Sequence, residues 1–390
     1  MQVRSKVFML CFIICFLFFP NPSLASEQKS ILNDQVEQLQ LDEVDGFLNK
    51  IDQDIHDQLS GISLTKLLDD VRHGKLDLDM SDIFNALLRY FCREFLTHTS
   101  LLGKLIILGA LLAIIEHLQN AFEQNTVAKL AHAVGMLALL TVALSSFGIA
   151  LNTGREAISN MVGFMQAMIP VLLTLMAAMG NVTTVAVMQP VIFVSSNILA
   201  TLINNIVFPL IFCAAVLSIV SSLSERFKVN RLADLFRDGS VFLVSLFLTI
   251  FIGILGIQGV AGAVTDGVGL RTAKFLTGSF VPVVGGVLTD AVDVIVGCSL
   301  FIKNGMGIIG ALGILLMCAL PVVKILSVAV MYRLAAVLME PIGAEQISEN
   351  LHLLGNLLFI AFGAVAAVGL MFFIVLTIIV GLGNFSVMLR

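Results

Sequence analysis

The chain has 390 residues, 58% of them hydrophobic and 13% charged, with a mean hydropathy of +1.00 and a formal net charge of -5. A water-soluble domain of this size cannot bury so much apolar surface, and a β-barrel would alternate in short segments. Composition excludes the first and the continuously apolar run "LVSLFLTIFIGILGIQGVAG" (243–262) the second, in favour of an all-α, polytopic helical integral membrane protein.

The first 28 residues, "MQVRSKVFMLCFIICFLFFPNPSLASEQ", open with Arg4 and Lys6 and continue into an apolar core from Val7 to Phe19. Pro20 and Pro22 break that core, and Ser23-Leu24-Ala25 supplies small residues at a cleavage position. Residues 1–25 read as a signal peptide cleaved after Ala25, with a retained anchor as the alternative; either places the next segment outside the cytoplasm. Residues 26–98 hold fifteen of the 27 acidic residues against seven basic ones, and 99–390 are nearly neutral. An acidic, helical extracytoplasmic segment thus precedes a membrane body. Its apolar positions recur at helical spacing over 31–51, 63–74 and 79–96, with Asp82 placed to cap the third stretch. No Lys/Arg cluster comes with a folded aqueous domain, which argues against nucleic-acid binding.

Apolar runs of about twenty residues place spans at 100–117, 130–151, 161–180, 185–203, 205–223, 240–262, 306–331 and 353–383. The 275–300 region is a ninth candidate, so the body from 99 to 390 holds eight or nine spans. Five crossings bring the chain to "ERFKVNRLADLFRDG", where Arg226, Lys228, Arg231 and Arg237 form its densest basic patch. That is the charge bias of a cytoplasmic loop. Nine crossings leave Arg390 in the cytoplasm, although Arg155, Arg271 and Lys274 then fall outside.

The segment "SFVPVVGGVLTDAVDVIVG" (279–297) departs from an ordinary span. Pro282 removes a helix donor, and Gly285 and Gly286 loosen the turn after it. Asp290 and Asp293 are three apart and share a helix face. A carboxylate facing lipid costs roughly 2.5–3.5 kcal/mol on insertion scales. The pair therefore belongs to a bundle interior, an aqueous cavity or a surface. A broken or re-entrant helix lining a pathway and a kinked helix with its acids near the interface both satisfy this. Lys324, three residues after Pro321, is a candidate to snorkel or to pair with an acid, the 290–293 segment being one source. Pro170 and Pro282, and Pro209 and Pro321, recur at one offset, as in duplicated membrane architectures with broken helices. These prolines are the further candidate kinks.

The remaining polar residues read as structure. Asn181, Asn197, Asn204 and Asn205 suit interhelical bonding, and "GIIGALG" (307–313) suits close helix packing. Six cysteines lack a CxxC pair, and no Walker, HExxH or GxSxG motif occurs. Neither a cofactor, a metal site nor an enzyme activity is expected.

The signal-like start ending "PSLASEQ", the acidic segment, the basic loop and "FVPVVGGVLTDAVD" occur together in this order. In that combination the chain resembles the stage III sporulation protein AE family of endospore-forming bacilli over essentially its whole length. The resemblance implies a permease-like or export-gate-like component of a mother-cell membrane assembly that connects with the forespore and supports its gene expression. It also implies other stage III membrane proteins, an ATPase and a forespore partner as associates, besides the lipid bilayer. It carries over no catalytic residue. A structural scaffold of that assembly, or a stand-alone secondary transporter, are the competing readings.

Overall fold

The computed structural model describes Val44, residues 46–50, Asp52 and Gln53, and then residues 80–121, 126–223, 229–280 and 284–388. The expected signal peptide, the 63–74 stretch, Pro282, Arg226 and Lys228 lie outside the described residues. Helix α1 is Met80–Thr97, α2 Thr99–Ala121, α3 Thr126–Ala178 and α4 Val182–Leu202. A π turn at Ile203–Val207 leads into α5 (Phe208–Leu223). Helices α6 (Asn230–Phe280), α7 (Val284–Met339) and α8 (Glu345–Met388) complete the bundle. No strand occurs among the described residues.

Five helical stretches are long and apolar enough to cross a membrane, and the bent pair α1–α2 makes a sixth. The chain is a multi-pass helical membrane protein. Its division into helices differs from the sequence expectation. The runs at 130–151 and 161–180 lie on one uninterrupted helix, α3, of 53 residues. At 1.5 Å per residue it is about 80 Å long, well beyond a hydrocarbon core of about 30 Å. The intervening "NTGREAISN" contains polar residues but no helix breaker beyond Gly154, so nothing there forces the chain to turn. The runs at 185–203 and 205–223 likewise continue through the π turn. Pro209 explains that turn. It has no N–H to give to Asn205, and the wider spiral instead bonds the Phe208 N–H to the Ile203 carbonyl. Pro170 and Pro321 sit inside continuous helices.

Chain reversals occur where backbone geometry demands them. At the end of α3, Gly180 takes φ 85°, its N–H donates to Ala177, and the Asn181 N–H donates to Met176. This is the hydrogen-bond pattern of a Schellman stop, which favours glycine. Gly343 takes φ 83° between α7 and α8. A bend of 43° falls at His98, between α1 and α2. The 279–297 segment straddles the end of α6 at Phe280 and the start of α7 at Val284.

Helices α7 and α8 form the closest pair, and α3 packs antiparallel along α7. Phe147, Phe164, Phe208, Tyr332 and Phe372 are fully buried among these helices and α5. The "GIIGALG" stretch lets them approach: Val380 packs at Gly307, Met168 and Leu376 at Gly310, and Phe164 at Gly313. The Tyr332 hydroxyl donates to the Ala143 carbonyl at 2.6 Å, tying α7 to α3. Helix α6 is peripheral and the least buried of the long apolar helices, whereas α8 is the most buried.

Candidate functional site: a polar cleft between α1, α3 and α7

The sequence suggests a boundary at residue 98, but α1 packs against the membrane helix α7. Its apolar face sets Ala86 and Tyr90 in the core, and the same face carries the buried Glu94. Glu94 lies 3.6 Å from the Lys324 ammonium of α7, and His98 approaches the same carboxylate oxygen at 3.6 Å. The acid beside Lys324 is therefore Glu94, one helical turn before His98. Sequence spacing gave no hint of it, because the two residues are 230 positions apart and meet only through helix packing.

Lys324 also lines a cleft of about 140 Å³, together with Lys50, Tyr90, Thr153, Glu156, Asn160 and Pro321. A second, more apolar cleft of about 110 Å³ shares Thr153 and Lys324 and includes His98, Ser146 and Ile325. Pro321 contributes twice. It lines the first cleft, and its missing N–H leaves the Met317 carbonyl, in the same wall, without its helical donor. The polar wall from α3 is the "TGREAISN" stretch, whose Arg155 stacks over the Phe208 ring at 5.9 Å. The N-terminal segment reaches the same place. Val44 is buried, Lys50 lines the cleft, and Phe47 meets Phe164 edge-on at 6.1 Å between ring centroids.

Asp290 and Asp293 fall within the first turns of α7, with Gly285 and Gly286 ahead of them; their side chains lie outside the described residues. Of the expected basic loop, Arg231 and Arg237 belong to α6, where Arg237 pairs with Asp234 at 3.1 Å and Asp238 at 3.0 Å. Two buried charges escape a reading of the sequence alone. Lys303 donates to the Val380 carbonyl at 2.8 Å and to Asn384 Oδ1 at 3.1 Å, joining α7 to α8. Asp266 of α6 accepts the backbone N–H groups of Thr183 at 2.9 Å and Thr184 at 2.7 Å. Among the described residues, no group of three His, Cys, Asp or Glu is arranged to hold a metal ion.

The sequence profile of the stage III sporulation protein AE family matches residues 62–383. The chain belongs to that family. It is 42% identical to Stage III sporulation protein AE of Bacillus subtilis (strain 168) over 318 residues, covering 82% of this chain and 80% of that one. No solved structure matches. Membership in the stage III sporulation protein AE family makes the chain a sporulation-related membrane component. The family match includes helices α1 to α7 and α8 as far as Gly383, hence both partners of the Glu94–Lys324 pair.

Proposed function

We propose that this protein is a permease-like or export-gate-like component of the stage III sporulation assembly that links mother cell and forespore and supports forespore gene expression. It sits in the mother-cell membrane facing the forespore, with residues 26–98 outside the cytoplasm. Its associates are the other stage III membrane proteins and, directly or through them, an ATPase and a forespore partner. The family and the multi-pass helical body support this reading. The observation that carries it is the polar cleft lined by Lys324, which Glu94 of α1 pairs at 3.6 Å, because ionisable residues inside a membrane bundle mark pathways or the contacts that close them. Asp290 and Asp293, at the start of the helix that carries Lys324, belong to the same pathway proposal.

A scaffold reading has one observation in its favour. The cleft is small, about 140 Å³, and helix α1 contributes Tyr90 to its wall. Charge exchange separates the two. Glu94→Lys and Lys324→Glu, singly and together, are followed by membrane abundance and forespore reporter output in sporulating cells. A gate predicts normal abundance, reduced output from each single change and recovery in the exchanged pair. Full output from both single variants would sink the gate reading and leave the scaffold.

A further inference from the structure

Helix α4 starts directly after the Gly180 turn, with Asn181 at its N-cap position. An asparagine there ordinarily accepts a backbone N–H from the second or third helical residue. Those residues are Thr183 and Thr184, and both amides are already taken by the two carboxylate oxygens of Asp266. The cap is thus supplied by another helix, α6, while the local capping residue makes no cap bond. Asn181 is nevertheless fully buried, and neither its Oδ1 nor its Nδ2 has a hydrogen-bond partner among the described residues. A buried amide without partners is unfavourable, so the arrangement keeps a competent cap idle.

The contact around it is built for close approach without large burial. Gly262 lies one turn before Asp266 on α6, and a Cβ there would meet the Thr184 Cα at 3.0 Å. Helix α6 is also the least buried of the long helices. Two favourable charge-assisted bonds from Asp266 therefore hold a peripheral helix to the start of α4.

We propose that Asp266 and Asn181 are alternative caps for the same helix end, so that α6 can release α4 without leaving both the Thr183 and the Thr184 amide bare. In the clasped state Asp266 fills both amides and Asn181 is unpaired. In the released state Asn181 turns onto the helix end and recovers a partner. The device couples the position of α6 to the reversal between α3 and α4, and it stands independently of the proposed gate.

The test is a double-mutant cycle on the purified full-length protein in detergent, read as the thermal unfolding midpoint. Asn181→Ala removes the idle amide and is expected to leave the midpoint unchanged or raise it. Asp266→Ala is expected to lower it by only about 2–4 °C, because Asn181 takes over. The double variant is expected to lose more than the sum of the two. A lowered midpoint for Asn181→Ala, or additivity in the double variant, would overturn the proposal and make Asn181 an ordinary packing residue. If the double variant does not accumulate, the sign of the Asn181→Ala change still decides. A second readout tracks release itself, by pairing Thr184→Cys with Gly262→Cys in a chain lacking its own cysteines. A Cβ at position 262 lies 3.3 Å from the Thr184 Cβ, near disulfide distance. Adding Asp266→Ala should slow disulfide formation; an unchanged rate contradicts release.

Discussion

Lys303 shows how a single buried charge is accommodated in this bundle. Its ammonium is fully enclosed, and its acceptors are a backbone carbonyl and the Asn384 amide of α8, with no carboxylate at bonding distance among the described residues. Removing one partner of a buried polar pair costs more than replacing both, because the survivor stays desolvated. Asn384→Leu should therefore destabilise the protein by about 1–3 kcal/mol. Combining it with Lys303→Met should recover most of that loss. Thermal unfolding in detergent checks both; equal losses in single and double variants would mean that Asn384 acts through packing alone. The Glu94–Lys324 pair behaves differently, since the Lys324 side chain is 43% exposed. Its contribution to stability is expected to be about 1 kcal/mol or less, which leaves function as its informative readout.

At the level of elements, the reversals carry more weight than the prolines. Pro170 and Pro321 are absorbed into long helices, and Pro209 is absorbed by a π turn. The α7–α8 hairpin instead depends on Gly343 in the left-handed region, beside the His117 imidazole, which also approaches the Ile342 carbonyl at 3.3 Å. A Cβ at position 343 would lie 3.0 Å from His117 Nε2. Gly343→Ala should cost about 1–2 kcal/mol from the backbone alone, plus displacement of His117. The variant His117→Ala/Gly343→Ala should recover the steric part and retain the backbone part, as read from unfolding midpoints. Complete recovery would show that the ring contact, and not the left-handed backbone, sets the penalty.

For the whole molecule, the helix lengths change the crossing count but keep the side of the basic segment. Two pairs of expected spans merge, which removes two crossings before residue 225 and preserves their parity. With each long helix crossing once and residues 26–98 outside, Asn230 faces the cytoplasm and the C-terminus lies outside. The nine-span reading puts Arg390 in the cytoplasm. Single cysteines at Gln58, Asn230 and Arg390 separate these topologies with an impermeant thiol reagent. The long-helix topology expects Gln58 and Arg390 to label from outside and Asn230 only after permeabilisation. Labelling of Arg390 only after permeabilisation, with Gln58 still outside, would restore an additional crossing among the later helices. The packing of Phe47 on Phe164 adds a consequence: Phe47→Ala should loosen the N-terminal segment and raise the reactivity of a cysteine placed at Asn160 in the cleft.

Composition, continuous apolar runs and the order of segments were enough to establish the membrane class, the all-α fold and the family. Local pattern also marked Lys324 as an unusual intramembrane charge and "GIIGALG" as a packing face. Hydropathy could not decide whether 130–151 and 161–180 turn back on each other, because a polar patch within a long helix reads like a loop. Nothing in the sequence pattern singles out Glu94, Lys303 or Asp266, and Asn181 reads only as a residue suited to interhelical bonding. Their roles arise from atoms brought within hydrogen-bond or ion-pair distance by helices far apart in the chain. Such pairings leave no period or spacing in one sequence, so only tertiary packing decides which buried charge is matched, which helix end is capped, and by whom.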